Sequence, residues 1–118
     1  MKDKKISGNL GESLAAKYLR KKRFKILKRN LTSKIGEIDI LARDKSDIVI
    51  IEVKTKSGEM YGEGYEMVNY FKRRKLLQLA KSLELSYPNQ TIRIDVVSVD
   101  LSQSPPEISH FVNAVEES

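Results

Sequence analysis

Ile48-Val49-Ile50-Ile51 is an unbroken β-branched run, and it ends on Glu52-Val53-Lys54. Such a run reads as a buried strand, and buried strands rarely finish on polar or charged residues. Glu52 and Lys54 are two positions apart, so they project from the same side of the sheet. A second acid stands just upstream, at the end of Gly36-Glu37-Ile38-Asp39. Asp44-Lys45-Ser46-Asp47 is a turn cluster, and Ile35 to Arg43 and Ile48 to Thr55 therefore read as the two strands of a hairpin.

A symmetric turn at Lys45-Ser46 places Asp39 opposite Glu52 and Glu37 opposite Lys54. A slip of two residues keeps the face and sets Asp39 opposite Lys54. Every register that holds the three on one face therefore holds them together. Directly opposed side chains have Cβ atoms roughly 4.5–5.5 Å apart. Two carboxylates that close repel unless a proton or a cation lies between them. Mg²⁺ is held by one or two carboxylates together with phosphate oxygens and water, so the pattern suits metal-assisted phosphodiester cleavage. The bland alternative is a solvated face on which Lys54 neutralises the acids. That alternative must also explain why two apolar strands break their pattern at the same level.

Around the hairpin the element order reads α-β-β-β-α-β, with a short further strand. A helix is expected from Gly8 to Lys22, after a frayed basic end, with Leu10, Leu14, Ala15, Tyr18 and Leu19 as its apolar stripe. Phe24 to Asn30 reads as a short strand. A loop with Gly58, Gly62 and Gly64 leads to a long helix, Glu66 to Tyr87, stopped by Pro88. Ile92 to Leu101 and Ile108 to Val112 are the last strands. The expected architecture is α/β, a mixed sheet with helices packed on it. One domain over 1–118 suits the length, with an ordered core over about 7–112.

Two further residues break their surroundings. Glu12 flanks the apolar stripe of the first helix, where a favourable helix dipole is a sufficient reason for an acid. Lys72 interrupts the apolar row Val68, Leu76, Leu79 and Leu83 of the second helix. It either snorkels to solvent or serves a phosphate. The runs Lys72-Arg73-Arg74-Lys75 and Lys17 to Lys25 flank the acids in sequence and suggest a groove that follows a phosphate backbone. The net charge of +6 agrees with an anionic partner, nucleic acid first. Zero cysteines exclude disulfides, thiolate metal sites and cysteine nucleophiles. No run of about 18 apolar residues is present, so no membrane span is expected, and with no export signal the expected location is the cytoplasm. The single histidine, His110, reads as structural, and Arg93 with Asp95 as a structural ion pair.

Gly11-Glu12, Asn30, the block Gly36 to Asp44, Glu52-Val53-Lys54-Thr55-Lys56, Val68 with Lys72, and Arg93 to Val97 together resemble the bacterial YraN family. That family is similar to archaeal Holliday-junction resolvases of the PD-(D/E)xK nuclease superfamily. The resemblance covers about residues 8–100. It implies a restriction-endonuclease-like core with the site at one edge of the sheet. It implies Asp39 and Glu52 as ligands of Mg²⁺ or Mn²⁺, with Glu12 as an accessory ligand. Lys54 would orient the attacking water or stabilise the charged transition state. Lys72 falls where related nucleases often place a polar contact from the second helix, and the basic residues Arg73, Lys75 and Lys56 are expected beside it as DNA contacts. Ile38 replaces the proline of the superfamily name, and Thr32-Ser33-Lys34 stands where an arginine is usual. The function expected is a metal-dependent DNA endonuclease, with branched or junction DNA as a candidate substrate and a two-fold homodimer as the matching assembly. The rival expectation is a non-catalytic nucleic-acid-binding module on the same fold.

Overall fold

The computed structural model describes residues 2–56 and 69–116, with side chains described from residue 8 onward. Its elements are α1 (Lys2–Lys21), β1 (Lys25–Thr32), β2 (Glu37–Asp44), β3 (Asp47–Lys56), α2 (Tyr70–Leu83), β4 (Ile92–Asp100) and β5 (Glu107–Phe111). The order is the one expected. The strands form one mixed sheet in the order β1-β2-β3-β4-β5, parallel only between β3 and β4.

The β-branched run of β3 dictates the layering, because its side chains alternate between faces and all of them must be covered. Val49 and Ile51 join Ala15, Ala16 and Leu19 of α1 in one core cluster. Ile48 and Ile50 join Leu76 and Leu79 of α2 in the other. One helix therefore covers each face of the sheet. Each of these isoleucines is fully buried, and truncating one to alanine would cost about 2–5 kcal/mol.

The boundaries differ from the expected ones for local reasons. α1 begins at Lys2 rather than Gly8. Lysine is an ordinary helix former, and Gly8 costs only about 1 kcal/mol inside a helix, so the helix runs through both. It ends at Lys21, and Arg23, with φ of 73°, turns the chain so that the Phe24 amide reaches the Leu19 carbonyl. α2 ends at Leu83 rather than Tyr87. Ser86 and Tyr87 both donate back to the Leu83 carbonyl, which closes the helix as a turn before Pro88. At its start, the Asn69 side chain caps the helix by accepting from the Lys72 amide. The expected start at Glu66, the position of Val68 and the loop of Gly58, Gly62 and Gly64 lie outside the described residues. Packing continues past Val112, since Val115 is buried against α2. No helix among the described residues is long and apolar enough to cross a membrane.

Candidate active site at the fork between two strands

The hairpin pairs in the expected register, from Asp44↔Asp47 through Arg43↔Ile48 to Ile40↔Ile51. It does not continue to Asp39 opposite Glu52 and Glu37 opposite Lys54. Beyond Ile40, β2 stays paired with β1 as far as Thr32↔Glu37. Beyond Ile51, β3 stays paired with β4 as far as Lys56↔Asp100. The two middle strands follow different partners and part. The fork leaves strand amides to be satisfied otherwise, and Val53 N–H donates to Asp39 Oδ2 at 2.9 Å. A side chain thus takes the place of a ladder bond. The candidate site lies in this fork, at the end of the sheet's interior strands, rather than on an edge strand.

Glu52 is 3% exposed, so its charge is nearly removed from water. Its Oε2 accepts two cations, Lys72 Nζ at 3.1 Å and Lys54 Nζ at 3.5 Å. The interruption of the apolar row at Lys72 is thereby explained. One turn before Leu76, its amine reaches the sheet and pairs with a buried acid. Glu52 Oε1 is buried and has no hydrogen-bond partner. Burial, reinforced by the charge of Glu52, pushes the Asp39 carboxyl up to about 7, against the pull of the Val53 amide and Lys72. Burial also raises the Glu12 carboxyl. Arg29 opposes that rise, and Glu37 and Glu52 add to it.

Glu12 is brought to the fork by Gly11. A Cβ at Gly11 would overlap Thr55 Oγ1 and lie 3.0 Å from Thr55 Cβ and Cγ2. Only glycine lets α1 approach β3 this closely. The Asn30 side chain favours the charged form of Glu12 and so also opposes the rise of its carboxyl. Asn30 sits within β1 at φ 52°, a conformation asparagine tolerates better than most residues. Sequence reasoning gave Asn30 no role and did not single out Arg29. The available signal was an asparagine interrupting a strand at the level of Asp39.

The structure therefore gathers Glu12, Asp39, Glu52, Lys54 and Lys72. The remaining expected contacts are dispersed. Lys75 is exposed on α2. Lys56 lies further along β3, where its charge acts on Asp100. Arg73 is turned to the backbone carbonyl of Glu116.

The donors at the fork are all carboxylate oxygens, the type that suits Mg²⁺ or Mn²⁺. Glu52 Oε1 is buried without a partner and the Asp39 carboxylate is its neighbour, and on that ground the residues fit a divalent cation. Among the described residues no group of three or more His, Cys, Asp or Glu is arranged to hold a metal ion. Asp39 and Glu52 form a pair, which Glu12 influences by charge.

A second polar cluster occupies the opposite end of the hairpin. Arg93 binds Asp44 at 3.0 Å, Asp47 at 2.9 Å and Asp95 at 3.0 Å. Asp95, fully buried, also bonds His110 Nε2 at 2.8 Å and the Asn113 amide at 2.9 Å. Burial would raise the Asp95 carboxyl, but the bonds from His110, Arg93 and Asn113 outweigh it and hold the group below its usual range. His110 packs edge-on against Tyr18 and Phe24. These are the structural roles expected for both residues.

The model of "Uncharacterised protein family UPF0102" matches residues 11–99. The chain belongs to family UPF0102. That span holds all of the fork residues, and the family is the YraN family that the motifs resemble. A UPF0102 protein of Geobacter metallireducens is 43% identical over 117 residues, covering 95% of this chain and 93% of the relative. One from Caldanaerobacter subterraneus subsp. tengcongensis is 37% identical over 117 residues, covering 95% and 96%. Among solved structures, one titled "Structure of EndoMS-dsDNA2 complex" aligns at TM-score 0.42 and 24% identity, over 60% of this UPF0102 chain and 26% of that one.

Proposed function

We propose that this UPF0102 member is a divalent-metal-dependent DNA endonuclease whose site is the fork between β2 and β3. The observation that carries the reading is the pairing at the fork of the half-buried Asp39 with the buried Glu52, whose Oε1 has no hydrogen-bond partner. Asp39 and Glu52 would hold Mg²⁺ or Mn²⁺, with Glu12 as an accessory group. Such an ion, when bound, supplies a Lewis acid for the phosphate and lowers the pKa of bound water. Lys54, beside Glu52, orients the attacking water or stabilises the charge that develops on the phosphate. Lys72, from the other side of the same carboxylate, holds a phosphate oxygen, and Lys75, exposed on the same helix, would meet the backbone further on. Branched or junction DNA is the substrate class we favour. Resolving a four-way junction requires two nicks, which a two-fold homodimer would supply.

One observation favours a second reading. Glu52 is already paired with two lysines, which suits a binding module that has given up catalysis. Labelled four-way junctions, forks, duplexes and single strands incubated with Mg²⁺ or Mn²⁺ separate the two. The nuclease reading expects cleavage by the wild type and none by Glu52→Ala. Identical behaviour of the two proteins on every substrate, with salt-sensitive binding intact in Asp39→Ala, would favour the binding module.

A further inference from the structure

The first turn of α2 carries two aromatic rings that the core does not use. Tyr70 is 61% exposed and Phe71 76% exposed, and neither belongs to a core cluster. The two rings meet edge to face, with centroids 5.5 Å apart and planes at 78°. Arg74 lies one turn on from Tyr70. Its guanidinium sits 5.7 Å from the Tyr70 ring centre, and Nη1 donates to the Tyr70 hydroxyl at 3.4 Å. Lys75 stands one turn on from Phe71, on the same stripe. The residue after Phe71 is Lys72, whose amine reaches Glu52 in the fork. An edge-to-face pair of exposed rings, with Arg74 against Tyr70, thus immediately precedes Lys72, whose amine enters the candidate site.

We propose that Tyr70 and Phe71 form a stacking platform for unpaired DNA bases. The substrate of this site would then be DNA with single-stranded bases beside the scissile phosphate, as in a fork, a flap or an opened junction. This rests on the nuclease reading of the fork. Aromatic side chains take bases on their π-faces, and a base offers its face only once it leaves the duplex stack. The neighbouring cations follow the phosphates of the same strand. A second copy of this chain is a poorer occupant, because the cationic turn would face its own like charge.

The test is fluorescence anisotropy of the full chain in EDTA, so that binding is read without cleavage. The probes are a single strand, a splayed fork and a blunt duplex of equal length. Phe71→Ala is expected to weaken binding to the single strand and the fork about tenfold. Phe71→Tyr should bind as the wild type does, and duplex binding should change less than about twofold in either variant. A 2-aminopurine base in the single strand should change its emission on binding the wild type but not Phe71→Ala. The proposal is overturned if Phe71→Leu binds like the wild type, or if duplex binding falls equally. It is also overturned if Phe71→Ala abolishes self-association seen by sedimentation, which would make the rings a contact between copies. Loss of cleavage in Glu52→Ala with no effect of Phe71→Ala sinks the platform and leaves the nuclease. A Phe71-dependent preference for single strands in a protein that never cleaves sinks the nuclease and leaves the platform.

Discussion

Asp39 is held by its amide partner and opposed by its neighbour's charge. Val53 N–H fixes its carboxylate, while burial and Glu52 disfavour ionisation. An unfolded chain releases this proton at the ordinary aspartate value of 3.8, and the folded chain at about 7. Between those values the folded state holds more protons, so the contribution of Asp39 to stability falls as pH rises across the window and is lost above it. Asp39→Asn keeps an acceptor for Val53 and removes the charge. Thermal melts of the metal-free protein are expected to show Asp39→Asn more stable than wild type at about pH 8, by on the order of 1–2 kcal/mol, with the gain shrinking towards about pH 5. The same substitution is expected to lower metal-dependent cleavage at least on the order of 100-fold. Melting curves that stay parallel at both pH values would show that Asp39 is not held uncharged by its surroundings.

At the scale of elements, the fork depends on how closely α1 lies on β3. Gly11 sets that distance, since any Cβ there meets Thr55. Gly11→Ala is expected to destabilise the protein by about 1–3 kcal/mol through overpacking, and to reduce cleavage by carrying Glu12 outward. Combined with Thr55→Ala, the cost should be smaller than the sum of the two single changes, which a double-mutant cycle on denaturant midpoints would measure. Simple additivity would mean that the two residues do not share this contact. The hairpin itself was legible from the sequence because the turn cluster Asp44 to Asp47 lies between two apolar runs, and the observed ladder follows the symmetric register rather than the two-residue slip. The parting of the strands at Asp39 was not legible. It is set by β1 and β4, whose pairings lie far away in sequence and hold β2 and β3 to different partners. The left-handed Asn30 and the reach of Lys72 to Glu52 belong to the same class, because both depend on an element that no local pattern reports.

On the scale of the molecule, β3 joins two charged ends of opposite character. Roughly 13 Å separates the level of Ile48 from that of Glu52 along the strand. At the Ile48 end Arg93 satisfies Asp44, Asp47 and Asp95, and the network is complete apart from the buried Nδ1 of His110. Arg93→Met leaves the buried Asp95 without its guanidinium and is expected to cost about 3–5 kcal/mol in denaturant unfolding. The loss should diminish at acid pH, because a carboxyl held low contributes stability above its unfolded value and loses it as pH falls. At the Glu52 end Oε1 is left without a partner and burial pushes the Asp39 carboxyl up to about 7, so a cation that binds there only in the folded chain should stabilise it. A hundredfold excess of Mn²⁺ over its Kd is expected to add about 2.7 kcal/mol. At a fixed Mn²⁺ concentration the gain should grow as pH rises through about 7, because the ion competes with the Asp39 proton and its Kd falls. Arg93→Met should keep the whole shift on a lower baseline, since the two ends share no partner, while Asp39→Ala should lose it. A Mn²⁺-induced rise of equal size in Asp39→Ala, measured by differential scanning calorimetry, would place the ion elsewhere and remove the chemical basis for reading the fork as a nuclease site.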